Sequence, residues 1–219
     1  MEHPPAEESL FLTGPVGRLE ALLRPAPEGV ELQGAAVLFH PHPLFGGTLA
    51  NKTLYRIARR LPLESACPVL RVNFRGAGFS EGVHDNGRGE IEDALAAIEA
   101  LAQRFPGLPI SAVGYSFGAA VGLRAAAADE RVVRLIALGL PLQPEFDLSF
   151  FERTLKPRLF VQGEHDEFGA APALEAFAKS LTGPVEMAII LGASHLFVGQ
   201  EDRVVDAVVD YIRRESAST

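Results

Sequence analysis

Cysteine is almost absent from this sequence: Cys67 is the only one in 219 residues. A single thiol excludes an intrachain disulfide framework and a cysteine-based zinc site. Cys67 precedes a strand-like run and has no turn chemistry around it, so it reads as a buried structural thiol, not a nucleophile. Lysine is scarce too: three of the 20 cationic residues are lysine, and no basic run occurs. With a formal net charge of −8, the chain cannot neutralise a row of phosphates, so neither nucleic acid nor an anionic membrane is an expected partner. No apolar stretch reaches the ~20 residues a bilayer span needs. Residues 1–9 (MEHPPAEES) are acidic and lack the apolar centre of a signal peptide. These absences together predict a soluble, cytoplasmic protein.

Apolar residues are plentiful, at 47% of the chain, against 22% charged, which favours a large core over disorder. The length suits one sizeable α/β domain, and no linker, composition break or internal repeat divides residues 1–219. Residues 10–24 read as two strand-like pieces broken at Gly14-Pro15. Residues 35–39 (AAVLF) are apolar throughout, as a strand covered on both faces requires. Further strands are expected at 68–74, 110–115, 132–139, 158–162 and 185–191. Helices are expected at 48–61, 89–105, 117–128, 170–181 and 201–214. In the second of these, Ile91, Ala94, Leu95, Ile98, Leu101, Ala102 and Phe105 are assigned to one buried face. After an opening β pair, strands and helices alternate. That pattern predicts a three-layer α/β/α sandwich around a mostly parallel sheet of about eight strands. Ligands of such sheets bind beyond the carboxyl ends of the strands, so functional residues belong just after the apolar runs.

Ser116 meets that condition. It sits in Gly114-Tyr115-Ser116-Phe117-Gly118, between the run 110–115 and the alanine-rich segment 117–128. Glycines two before and two after leave room for a sharp strand-to-helix turn that lifts the hydroxyl clear of the sheet. The start of the helix then aims backbone N–H groups at whatever the hydroxyl attacks. No lysine follows the glycines, which argues against a phosphate-binding loop.

A serine hydroxyl is a weak nucleophile and needs a base, which in turn needs an orienting acid. Of six histidines, only His165 and His195 lie downstream of Ser116 at strand ends. His195, just past the run 185–191, is the expected base. Asp166, in the loop after 158–162, is the expected acid, with Glu164 and Glu167 as competitors. The order Ser, Asp, His, each after a separate strand, is one of the orders in which such triads occur.

These motifs, GYSFG at 114–118, GEHD at 163–166, GASH at 192–195 and HPHPLFGG at 40–47, resemble those of the α/β-hydrolase superfamily, in particular its small lidless serine hydrolases. The loop Asn73-Phe74-Arg75-Gly76 resembles a further family loop. The resemblance implies the α/β-hydrolase fold and ester-type hydrolysis. The loop at 40–47 occupies the place of the family's oxyanion loop. One oxyanion donor is expected to be the N–H of Phe117. Pro41 and Pro43 have no N–H, which leaves His42, Leu44 or Phe45 for the second. Related loops favour His42, and Gly46-Gly47 lets the backbone bend toward the site.

His40 and His42 read as loop residues, not metal ligands, because no third ligand is placed nearby in sequence. The chemistry calls for neither cofactor nor metal. Arg75 is expected to orient loops. Phe45, Phe79 and Phe197, near strand ends, are candidate pocket residues. Relatives with a cap insert it between the runs 132–139 and 158–162, where this chain has 18 residues, Leu140 to Pro157. No cap domain is therefore expected. Leu142, Phe146, Leu148, Phe150 and Phe151 of that segment are available to cover a pocket. The expected partner is a small acyl substrate. Peptidase or acyl transferase chemistry on the same residues, and a non-catalytic binding protein of this fold, are the alternatives.

Overall fold

Five apolar residues, Ala35–Phe39, form a strand near the middle of an eight-stranded sheet in the computed structural model, which describes residues 5–216. His3 and the rest of residues 1–4 lie outside the described part. Alternate side chains of this strand enter opposite layers: Val37 and Phe39 join one apolar cluster, Ala36 and Leu38 the other. A strand buried on both faces has no polar side to present, which is why its sequence shows no alternation.

The strands are β1 (Glu8–Gly14), β2 (Gly17–Arg24), β3 (Ala35–Phe39), β4 (Val69–Val72), β5 (Ile110–Tyr115), β6 (Val132–Leu138), β7 (Arg158–Gly163) and β8 (Val185–Ile190). Their order across the sheet is β1-β2-β4-β3-β5-β6-β7-β8. β1 and β2 form an antiparallel hairpin, and β2 joins β4 antiparallel; every later pairing is parallel. The helices are α1 (Lys52–Glu64), α2 (Gly89–Arg104), α3 (Phe117–Ala128), a short α4 (Phe150–Arg153), α5 (Ala171–Ser180) and α6 (Glu201–Ser216). The apolar faces of α1 and α6 pack on one side of the sheet, and those of α2 and α3 on the other. No helix among the described residues is long and apolar enough to cross a membrane.

Three details depart from the sequence reading. A 3-10 turn at Pro43–Phe45 and the helix α4 were not expected. The buried face of α2 is rotated from the predicted one: Leu95 is exposed, while Glu90 and Asp93 are buried. The carboxylates reverse the expectation because each has partners. Asp93 accepts from the backbone N–H of Arg75 at 2.9 Å and from its Nη2 at 2.8 Å, so Arg75 does fix the loop after β4. Finally, Phe150 and Phe151 pack into the core, Phe151 against Phe160 and Phe177 and Phe150 against Phe151, and Leu142, Phe146 and Leu148 lean on the same cluster. The segment between β6 and β7 is thus spent on the core and builds no cap.

From β3 the chain moves outward to β4, then returns to β5 and proceeds the other way. The carboxyl ends of β3 and β5 therefore flank the point where the winding reverses, where α/β sheets leave a crevice. The loop at 40–47 leaves β3 there, and Ser116 leaves β5.

Candidate active site

Ser116 connects β5 directly to α3 with φ 53° and ψ −116°, a backbone conformation that L-residues rarely adopt. The flanking glycines make it possible. A Cβ on Gly114 would stand 2.4 Å from the Gly118 carbonyl oxygen, and the elbow would have to open to admit it. The turn is pinned to β6 by the Ser116 N–H, which donates to Leu138 O at 2.8 Å.

The Ser116 hydroxyl lies 2.8 Å from His195 Nε2. On the far side of the ring, Nδ1 lies 3.0 Å and 2.9 Å from the two carboxylate oxygens of Asp166. An Nδ1 facing two carboxylate oxygens must carry the proton, so Nε2 is the free base toward the hydroxyl. The structure thus joins the three residues expected from sequence in one hydrogen-bonded chain. Asp166 and His195 are buried and Ser116 is partly exposed.

The competitors of Asp166 have other work. Glu164 accepts from Gly192 N at 2.8 Å, and Glu167 accepts from His195 N at 3.2 Å. The Glu167 carboxyl is held below its ordinary pKa, first by its own backbone N–H and then by that of His195. Tyr115 donates its hydroxyl to His195 O at 2.9 Å, and burial raises its phenol pKa, so it remains a donor. Three acidic side chains and a tyrosine therefore hold residues 192–195 at four points. His165, the alternative base, is exposed beside Glu164.

His40 is fully buried. Its Nδ1 lies 2.6 Å from Pro41 O, and its Nε2 accepts from Phe74 N at 3.0 Å. Burial lowers its pKa to about 4, so the ring is neutral and ties the loop after β3 to the loop after β4. His42 packs its ring on Phe45, His84 and Phe117, with centroids 4.9, 4.9 and 4.8 Å away. Burial, and then the neighbouring His84, lower its pKa too. His84 Nδ1 is in turn 2.8 Å from Glu90 Oε1 but makes no hydrogen bond among the described residues; Glu90 accepts instead from Asp85 N at 2.7 Å and Gly87 N at 2.8 Å, and so ties the turn before α2 to the helix.

Of the expected oxyanion donors, Leu44 N–H is occupied by His42 Nδ1 at 3.3 Å and Phe45 N–H by His42 O at 3.1 Å, both inside the 3-10 turn. Among the described residues, the N–H groups of His42 and Phe117 have no acceptor. One stands in the loop after β3 and the other at the first residue of α3, on either side of the reversal of the sheet. The loop can fold back because Gly47 lacks a side chain: a Cβ there would lie 2.1 Å from Pro41 O.

The aromatic candidates divide. Phe45 is 87% exposed and Phe79 is 76% exposed, whereas Phe197 is 0% exposed and packs on Tyr115 at 5.8 Å. Phe197 belongs to the core, and its expected place in a pocket is corrected here. Phe168, not singled out in the sequence, sets its ring edge-to-face on His195 at 4.6 Å. Cys67 is buried, and burial pushes its thiol up to about 12, which keeps it protonated and inert.

Residues 69–214 match the family described as the alpha/beta hydrolase domain. The chain is 31% identical over 211 residues to the uncharacterised protein RP471 of Rickettsia prowazekii (strain Madrid E), covering 93% of this chain and 87% of that one. An alpha-beta serine hydrolase homologue from Coxiella burnetii is 34% identical and superimposes with a TM-score of 0.82, covering 95% of this chain and 96% of that one. A serine hydrolase without a lid from Xanthomonas campestris is 31% identical with a TM-score of 0.86, covering 96% and 95%. This chain belongs to the alpha/beta hydrolase family and has the lidless form of its fold.

Proposed function

We propose that the protein is a serine hydrolase that cleaves small carboxylic esters or thioesters through an acyl-enzyme. The observation that carries this reading is the continuous chain Ser116 Oγ, His195, Asp166, with every link between 2.8 and 3.0 Å. His195 Nε2 takes the hydroxyl proton as Ser116 attacks the substrate carbonyl, and Asp166 holds the ring's tautomer and offsets its charge. The oxyanion of the tetrahedral intermediate is received by the N–H groups of Phe117 and His42, which the fold leaves without acceptors. Protonated His195 then hands its proton to the leaving group. Water attacks the acyl-enzyme by the same route in reverse.

The partly exposed Ser116 and the absence of a cap suit a small or surface-accessible acyl group. Phe45 and Phe79, both exposed, and Phe168 beside His195 are the side chains we assign to substrate contact. The test is turnover of p-nitrophenyl esters and acyl thioesters of graded chain length. The reading expects a burst of p-nitrophenol equal to the enzyme concentration when deacylation limits, and none from Ser116→Ala. Equal rates from the wild type and Ser116→Ala would refute it.

A further inference from the structure

We propose that Gln162 is a positioning residue that fixes the Asp166 carboxylate for His195. The inference rests on the hydrolase reading above and adds a fourth side chain to it. Gln162 is the penultimate residue of β7, and its carboxamide is completely buried. Its Oε1 accepts from Leu140 N at 2.8 Å. Its Nε2 faces three oxygens: Gly169 O at 2.7 Å, Asp166 Oδ2 at 2.9 Å and Leu140 O at 3.2 Å. A donor on one side and three acceptors on the other leave one sensible orientation of the amide.

The consequence falls on Asp166. Its Oδ2 receives the Gln162 amide, and its Oδ1 receives Phe168 N at 2.9 Å. One donor on each oxygen sets the plane of the carboxylate, with both oxygens turned toward His195 Nδ1. The same amide ties the segment after β6, through Leu140, to the acid loop that ends at Gly169. Gln162 does this without a charge or a transferable proton. Without Gln162, Oδ2 would have the imidazole as its one partner among the described residues, and χ2, a broad torsion, would no longer be pinned on that side. The charged and titratable groups facing this carboxylate from neighbouring elements are His195 after β8, Tyr115 of β5 and Glu167 of its own loop.

The experiment measures kcat, KM and the pH–rate profile of a p-nitrophenyl ester for the wild type, Gln162→Met and Gln162→Glu, with and without Asp166→Asn. Gln162→Met keeps the side chain's length and removes every polar contact; Gln162→Glu keeps its shape and the acceptor for Leu140 N. The expected result for Gln162→Met is a fall in kcat of about 10- to 100-fold with KM unchanged. The acid limb of its profile moves to higher pH, because the carboxylate no longer shares its charge with the amide. Gln162→Glu puts a carboxyl oxygen against Asp166 Oδ2 and two carbonyl oxygens in a fully buried site, so it is held protonated and still donates to Asp166; its kcat and acid limb are expected to stay near those of the wild type. In the Asp166→Asn background, Gln162→Met costs less than about twofold, since the two residues act as one unit.

A folded Gln162→Met with an unmoved acid limb, and with an equal loss in both backgrounds, would reduce Gln162 to a loop tie and overturn the inference. Should that variant not fold, a loss of more than about tenfold in kcat for Gln162→Glu, which keeps the donor to Asp166, overturns it. A wild type that turns over no ester at all overturns the hydrolase reading and this inference together. A wild type that turns over while Gln162→Met matches it overturns the inference alone.

Discussion

A Cβ on Gly118 would stand 2.3 Å from the carbonyl oxygen of Phe39. The first turn of α3 therefore rides directly on the end of β3, and this contact sets how far Ser116 stands from the loop that carries His42. The obstacle is backbone, which cannot swing aside as a flexible side chain can. Gly118→Ala is expected to lower stability by about 3 kcal/mol, as overpacking against a fixed neighbour does. Urea unfolding midpoints measure it; a loss below about 1 kcal/mol shows that the helix can back away.

The strain at Ser116 gives a second expectation. A serine at φ 53° and ψ −116° is held against its preference, whereas glycine tolerates positive φ freely. Ser116→Gly is expected to be more stable than Ser116→Ala by about 1 kcal/mol, while neither turns over ester. Thermal melting of the two variants side by side decides it. An alanine variant as stable as the glycine variant contradicts the strain.

Proline can probe the oxyanion loop. His42 has φ −55° and ψ 122°, and proline fixes φ near that value while lacking an N–H. His42→Pro is expected to lower kcat about 100- to 1000-fold relative to His42→Ala, which loses the ring but keeps the donor. Equal rates for the two variants place the second donor elsewhere.

His40 links stability to pH. The folded ring protonates only near pH 4, against 6.5 for the ordinary value that the unfolded chain shows. Above pH 6.5 the ring is neutral in both states and contributes no slope. Between 6.5 and 4 the unfolded chain takes up the proton first, so stability falls as pH is lowered. Below 4 the loss levels off at about 3 kcal/mol. His40→Leu removes this slope, although it also strands the Phe74 N–H and lowers stability at every pH. Denaturation midpoints of the two proteins across that window show whether the gap between them narrows toward low pH, as expected, or stays constant, which would contradict it.

How much of this was legible in the sequence follows from the range of the interactions. Strands buried on both faces announce themselves as apolar runs, so β3 and β5 matched residue for residue, and the ends of most other elements shifted by one to three residues. Ser116, Asp166 and His195 were readable because each sits just past such a run. Gln162 was not, because a lone polar residue in a strand gives no hint of its partners until Leu140 and Gly169 are brought beside it. The burial of Glu90 and Asp93 is hidden in the sequence for a related reason. Helical periodicity assumes that carboxylates face water, and here Asp93 meets Arg75 and Glu90 accepts from the backbone of Asp85 and Gly87 inside the protein. Phe197 lies near a strand end, but the turn after β8 that carries it, at φ 52°, delivers its ring to the core, a path that apolar periodicity does not show.

The central claim is that Ser116 is activated as a nucleophile by His195. Its most direct test is the covalent adduct formed with a fluorophosphonate, mapped by peptide mass spectrometry. The account predicts one phosphonate on Ser116 of the folded wild type, formed far more slowly in His195→Ala and not at all in Ser116→Ala. Labelling of the wild type at another residue, or at Ser116 with no dependence on His195, would contradict it.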